Sequence, residues 1–216
     1  MNIGIIGAGN IGATLGRHWI EAGHFVRFGV RDLARVKPLL TELGASASVS
    51  SARDAAQFGE VLVFAGPYGA WPDFATEAKD ILRGKVVADA ANPYAQRDGA
   101  IVEAVAKSGY GSGKYTASLL PDSHVVKAFN TIYWVDLRDK AYQPRELLAM
   151  PIAGDDTSAL TTISALASDA GFEPVIVGGL DKSAFLDADS PIYAKSFTAA
   201  EVRKALRLPH TNGDKA

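Results

Sequence analysis

The sequence predicts an α/β protein, a doubly wound and mostly parallel sheet with helices on both faces. Three observations carry that expectation. Short β-branched runs alternate with stretches of helical spacing along most of the 216 residues. Glycines follow the helical stretches closely, and a glycine-rich turn joins the first run to the first helix.

Taken in order, the apolar runs are Ile3–Ile6, Phe25–Val30, Val61–Ala65, Val86–Asp89, Val125–Phe129, Met150–Ala153 and Pro174–Val177. Each is short enough for a strand buried on both faces. The helical stretches between them are Ile11–Ala22, Leu33–Leu43, Ala52–Phe58, Pro72–Leu82, Ala100–Lys107 and Thr157–Ala170. After Val177 the character changes, with Gly178, Gly179, an acidic patch at Asp187 and Asp189, and then Pro191. Residues 1–178 are therefore expected to form the main α/β domain, and 179–216 a small C-terminal cap with a frayed tail from Thr211.

Composition narrows the partners. With 22 basic and 24 acidic residues the net charge is −2, and no basic run offers a field for a phosphate backbone or an anionic membrane. The longest charge-free stretch, Met1–Gly16, is interrupted by Asn and Gly and falls short of the ~18 apolar residues of a membrane span. The first positive charge is Arg17, unlike a secretory leader, so a cytoplasmic location is expected. There is no cysteine, which excludes disulfides, thiolate nucleophiles and cysteine-based zinc sites. His18, His24, His124 and His210 show no metal-ligand spacing, so no metal is expected.

Gly7-Ala8-Gly9-Asn10-Ile11-Gly12 is a G-x-G-x-x-G that follows a strand and opens a helix, the Rossmann arrangement. Gly7 permits the tight turn, Gly9 lets a pyrophosphate approach the backbone, and Gly12 lets helix and strand pack closely. Which dinucleotide binds is decided at the end of the second strand, where NAD sites carry a carboxylate for the ribose hydroxyls. Here Val30-Arg31-Asp32 puts a guanidinium in that place, with Arg35 four residues on. Arg31 and Arg35 predict NADP over NAD by pairing with the 2′-phosphate, and Asp32 reads as the cap of the next helix. Two solvated surface arginines are the alternative.

These pieces resemble a family, the NADP-dependent oxidoreductases of the deazaflavin coenzyme F-420, whose fold recurs in the cytosolic domain of six-transmembrane metalloreductases. The resemblance rests on the opening Asn2–Gly7 with its glycine loop, Gly29-Val30-Arg31, Asn92-Pro93 and Val126-Lys127-Ala128-Phe129-Asn130-Thr131. Ile152-Ala153-Gly154-Asp155-Asp156 and Val177-Gly178-Gly179-Leu180 fit it as well. It implies that Asn10 and Ile11 touch the pyrophosphate, that Ala128, Phe129 and Asn130 sit beside the nicotinamide, and that Pro67 and Tyr68 line the same cleft. Asn92 and Pro93 belong to the expected cofactor site too. The family's Ser before the arginine is Val30 here, which removes one hydrogen bond to the 2′-phosphate. The resemblance further implies a homodimer and a small-molecule redox acceptor, deazaflavin F-420 or flavin.

Other constellations are set aside. Tyr110-Gly-Ser-Gly-Lys114 has the Tyr/Lys spacing of short-chain dehydrogenases, but two glycines argue for a loop, and Tyr115 stands where a phosphate-binding loop needs Ser or Thr. Tyr133 and Trp134 read as core, whereas Tyr193 and Phe197 are equally placed to cover an acceptor or to pack the cap. No Lys, His or Tyr stands out as a proton donor, which favours a flat redox ring over a ketone. The alternatives are a small imine or β-hydroxyacid-type reductase, a non-catalytic NADP-binding module, and an electron-transfer subunit that turns over only with its partner.

Overall fold

The computed structural model describes residues 1–209; His210 and the tail from Thr211 lie outside them. β1 (Asn2–Ile6), α1 (Asn10–Glu21) and β2 (Phe25–Gly29) form the opening unit. A 3-10 turn at Ala34–Val36 leads to α2 (Lys37–Leu43), β3 (Ala47–Ser50), α3 (Ala52–Phe58) and β4 (Val61–Phe64). Then come α4 (Trp71–Leu82), β5 (Val86–Asp89), α5 (Ala95–Asp98), α6 (Ala100–Ser108), α7 (Ser112–Leu119) and β6 (His124–Lys127). The chain continues through α8 (Trp134–Asp139), β7 (Ala149–Gly154), α9 (Thr157–Asp169), β8 (Glu173–Gly178) and α10 (Ala199–Leu206).

The eight strands form one sheet in the order β3-β2-β1-β4-β5-β6-β7-β8. The first six run parallel, β7 is antiparallel to β6, and β8 is parallel to β7. The expected doubly wound, mostly parallel sheet is the observed one. Alternation along β4 shows why both faces are covered. Val61 and Val63 enter a core with Leu15 and Trp19 of α1, Leu137 of α8 and Ile163 of α9. Leu62 and Phe64 enter the opposite core with Ala55 of α3, Trp71 and Phe74 of α4 and Val105 of α6. A third cluster joins Ala149, Ala153, Val175 and Val177 to Leu186, Ile192, Val202 and Leu206 of the C-terminal segment. That segment is tied to the sheet by Ala149 N–H donating to the Phe197 carbonyl at 2.7 Å.

The expected helix Leu33–Leu43 is divided, because Pro38 near the start of α2 has no N–H for the Ala34 carbonyl. The loop expected at Tyr110–Lys114 is corrected too: Ser112, Gly113 and Lys114 are the first turn of α7. A Cβ on Gly113 would stand 2.9 Å from the Cβ atoms of Lys127 and Ser183. That glycine is there to let the helix lie close on β6. The turn is capped from a distance, since Ser112 N–H donates to Asp187 Oδ2 at 2.9 Å.

Candidate functional site

The glycine turn behaves as its spacing requires. Gly7 has φ +100° and donates to the Gly29 carbonyl at 2.9 Å, which fastens the turn to β2. A Cβ on Gly12 would lie 2.1 Å from the Gly7 carbonyl oxygen, so any larger residue would push α1 off the turn. At Gly9, the residue before α1, an added Cβ meets nothing within 4 Å. No side chain caps this helix and no acidic residue lies in its first turn, so its leading N–H groups face that open space. An uncapped helix start beside clear space fits a pyrophosphate.

At the end of β2, Val30 N–H bonds the Ser50 carbonyl of β3 and the chain then turns outward. Arg31 and Arg35 are both exposed, and neither has an ion pair or hydrogen bond among the described residues. Two unpaired guanidinium groups on one loop fit a 2′-phosphate. The two do not share a helical face, because Arg31 precedes the 3-10 turn that holds Arg35. Asp32 caps that turn rather than an α-helix, with Oδ1 accepting from Ala34 N–H at 3.0 Å.

Beyond the glycine turn a cleft of about 360 Å³ opens above the carboxyl ends of β4, β5 and β6. Asn10, Ile11 and Pro67 form one side of its lining, and Asn92 and Asn130 contribute to the rest, as the resemblance implies. Tyr94, Arg97, Tyr133, Trp134 and Tyr193 supply its aromatic and basic side chains. Pro93 is half-buried beside the cleft without joining its lining.

Three expected lining residues turn the other way. Ala128 and Phe129 follow β6 and are buried, and Phe129 packs edge-on against Trp19 with ring centroids 5.4 Å apart. The chain turns there in the left-handed region, at φ 63°, which sends this ring into the core below the cleft. Tyr68 is fully buried as well, its hydroxyl donating to the Ser112 carbonyl at 2.8 Å and lying 3.0 Å from Thr116 Oγ1. Desolvation, and then the nearby Asp89 charge, push the Tyr68 phenol well above its usual range.

Tyr68 belongs to a polar network in the core beneath the cleft that the sequence does not announce. Lys127 and Asp89 are fully buried and 3.1 Å apart on paired positions of β6 and β5. Asp89 also accepts from Trp71 Nε1 at 3.1 Å, Thr116 Oγ1 at 2.9 Å and Ala91 N–H at 3.1 Å, while Lys127 Nζ donates to the Ala91 carbonyl. Both sides of the Ala91 residue, which lines the cleft, are thus clamped by one buried ion pair.

The aromatic wall reverses another expectation. Tyr133 and Trp134, read as core from the sequence, line the cleft as a tilted pair 6.1 Å apart. Of the two residues left open, Tyr193 faces the cleft, while Phe197 packs with the third core cluster. Tyr94 and Arg97 were missed. Their signal was weak: an aromatic residue just after the Asn92-Pro93 pair and a basic one on the four-residue helix that follows it. The three histidines among the described residues are accounted for by packing and pairing: His18 Nε2 lies 2.9 Å from the Leu137 carbonyl, His24 3.0 Å from Asp169, and His124 3.4 Å from Asp156.

Fold and turn together define a dinucleotide-binding protein of the Rossmann type. Residues 2–93 match the family described as NADP oxidoreductase, coenzyme F420-dependent. It is 30% identical over 190 residues to Metalloreductase STEAP3 of Rattus norvegicus, an alignment that takes in 86% of this chain and 36% of the relative. The chain therefore spans about a third of that curated relative's length. Among solved structures, a hypothetical protein of Sinorhizobium meliloti is 27% identical with a TM-score of 0.78, over 92% of this chain and 95% of that one. A candidate F420-dependent NADP-reductase of Arthrobacter sp. FB24 shares the fold at a TM-score of 0.71 and 23% identity, over 84% of this chain and 86% of its own.

Proposed function

We propose that the chain is an NADP(H)-dependent oxidoreductase that moves a hydride between NADPH and a planar deazaflavin or flavin ring. The observation that carries this reading is the continuity of one surface. The uncapped start of α1 beside Gly9 leads into a cleft whose other parts are the aromatic side chains of Tyr133, Trp134, Tyr94 and Tyr193. The backbone at Asn10 and Ile11 would hold the pyrophosphate, and Arg31 and Arg35 the 2′-phosphate. Asn130 would face the nicotinamide amide. When bound, NADPH supplies the hydride; the chain supplies position, a dry floor and flat walls. Within the described residues, 179–209 act as a cap, with Tyr193 and Ala194 contributing to the cleft. The family resemblance carries a homodimer into the same reading, and the late first positive charge, Arg17, carries the expected cytoplasmic location. No helix among the described residues is long and apolar enough to cross a membrane.

A second reading, reduction of a small imine or β-hydroxyacid-type substrate, is favoured by one observation: two tyrosine hydroxyls stand at the cleft where the sequence offered no proton donor. Stopped-flow absorbance at the nicotinamide band separates the two. Oxidation of NADPH is expected to be fast with riboflavin or a deazaflavin and slow with small ketones, keto acids and imines. A faster reaction with any of the latter overturns the flat-ring reading. No turnover with any acceptor leaves a binding module.

A further inference from the structure

Across the cleft from the glycine turn, residues of two different segments meet. Tyr94, on the loop after β5, and Tyr193, in the C-terminal segment, join their hydroxyls in a hydrogen bond. Each is held by its own backbone contacts. Tyr94 N–H donates to Asp98 Oδ2 at 2.8 Å, and the residue after Tyr193, Ala194, donates its N–H to the Thr131 carbonyl at 2.7 Å. The Arg97 guanidinium lies 4.9 Å from the centre of the Tyr94 ring, and its Nη2 donates to the Asn92 carbonyl at 2.8 Å and to Asp98 at 2.8 Å. Asp98 offsets its charge, so the group orients the phenol without flooding the cleft with positive potential.

Two joined phenols have two protons and share one between them, so one O–H is left to donate into the cleft. Burial, and then the hydrogen bond it shares with Tyr94, hold the Tyr193 phenol well above its usual range, so the pair carries both its protons at neutral pH. A donor beside flat aromatic walls suits a flat ring that ends in a carbonyl edge.

We propose that the Tyr94–Tyr193 hydroxyl pair, oriented by Arg97, binds the carbonyl edge of the acceptor ring and stabilises the charge that hydride transfer places there. The inference rests on the flat-ring reading above and names the residues that select the ring. The balance of the step is simple. One C–H bond breaks on NADPH, which is oxidised, and one new bond to that hydrogen forms on the acceptor ring, which is reduced: C–H on a deazaflavin, N–H on a flavin. The electron pair that arrives with the hydride spreads onto the carbonyl edge, where the phenol hydrogen bond strengthens, and water supplies any proton the reduced ring takes up.

The test uses Tyr94→Phe, Tyr193→Phe and the double variant, each keeping its ring so that the cleft keeps its walls. Riboflavin and 5-deazariboflavin binding are followed by fluorescence quenching, NADPH binding by calorimetry, and turnover with riboflavin by steady-state kinetics. The hydroxyl that donates into the cleft is worth about a three- to tenfold loss of riboflavin affinity, and its loss also lowers kcat because the bond tightens as charge develops. The double variant shows both losses, and NADPH affinity stays within about twofold of wild type. Riboflavin affinity and kcat in the double variant equal to wild type would overturn the inference alone. A wild-type protein that binds NADPH but neither ring compound would overturn the flat-ring reading with it.

Discussion

Asn92 and Asn130 exchange amide hydrogen bonds across the cleft. Asn92 Nδ2 donates to the Asn130 carbonyl at 2.8 Å, and Asn130 Nδ2 donates back to Asn92 Oδ1 at 2.9 Å. The second hydrogen of Asn130 Nδ2 goes to the Leu186 carbonyl. Both partners of that nitrogen are acceptors, which fixes the orientation of the amide. Asn130 Oδ1 is left buried with no partner among the described residues.

Asn130 lines the cleft, and the carboxamide of a bound nicotinamide would offer a donor to its buried, unpartnered acceptor. Asn130→Ala is expected to weaken NADPH about three- to tenfold, the worth of one net hydrogen bond. Calorimetry on a variant shown to be folded by circular dichroism measures it, and unchanged affinity would remove Asn130 from the cofactor site.

Gly9→Val should leave the fold intact, because a Cβ there meets no protein atom within 4 Å. The same side chain would occupy the space in front of α1, so dinucleotide binding should fall below detection. Binding at wild-type strength, followed by nicotinamide fluorescence, would make the glycine loop a turn and nothing more.

Phe129→Ala should act on stability, not selectively on turnover. The ring is 1% exposed and packed on Trp19, so its removal leaves a cavity. The expected loss is about 3–5 kcal/mol in urea unfolding. A loss below about 1 kcal/mol together with a large fall in turnover would return Phe129 to the cleft.

Lys127→Met removes the cation from a fully buried pair and leaves Asp89 in the core without its counter-charge. The cost should be about 3–5 kcal/mol, read by the same unfolding experiment. Within the range where the variant stays folded, its altered clamp on Ala91 should also weaken NADPH. A variant as stable as wild type would mean that Asp89 is not held by this lysine.

The sheet and its glycine turn were legible because their signals are local: β-branched runs of fitting length, and glycines at positions that meet backbone, such as Gly12 against the Gly7 carbonyl. β3 went unread because Ala47–Ser50 is short and half-buried, with Val49 as its sole large apolar residue. α7 was misread because Gly113, a helix breaker by propensity, is required there by contact with Lys127 and Ser183, distant in sequence. The cleft wall was hardest. Whether Phe129 or Tyr133 faces it depends on one left-handed residue after β6, and nothing in the local pattern of Ala128–Trp134 announces that turn. Tyr94 and Tyr193 meet across 99 positions, beyond the reach of any spacing rule.

The central claim is that this chain reads the 2′-phosphate of NADP through Arg31, with help from Arg35. Calorimetric titration of the wild type and Arg31→Ala with NADPH and with NADH tests it most directly. A charge-assisted hydrogen bond to phosphate is worth about 1.5–3 kcal/mol, so Arg31→Ala should weaken NADPH by at least about tenfold and leave NADH nearly unchanged. Arg35→Ala should show a smaller loss of the same kind. Wild-type protein that binds NADPH and NADH with equal affinity would contradict the account.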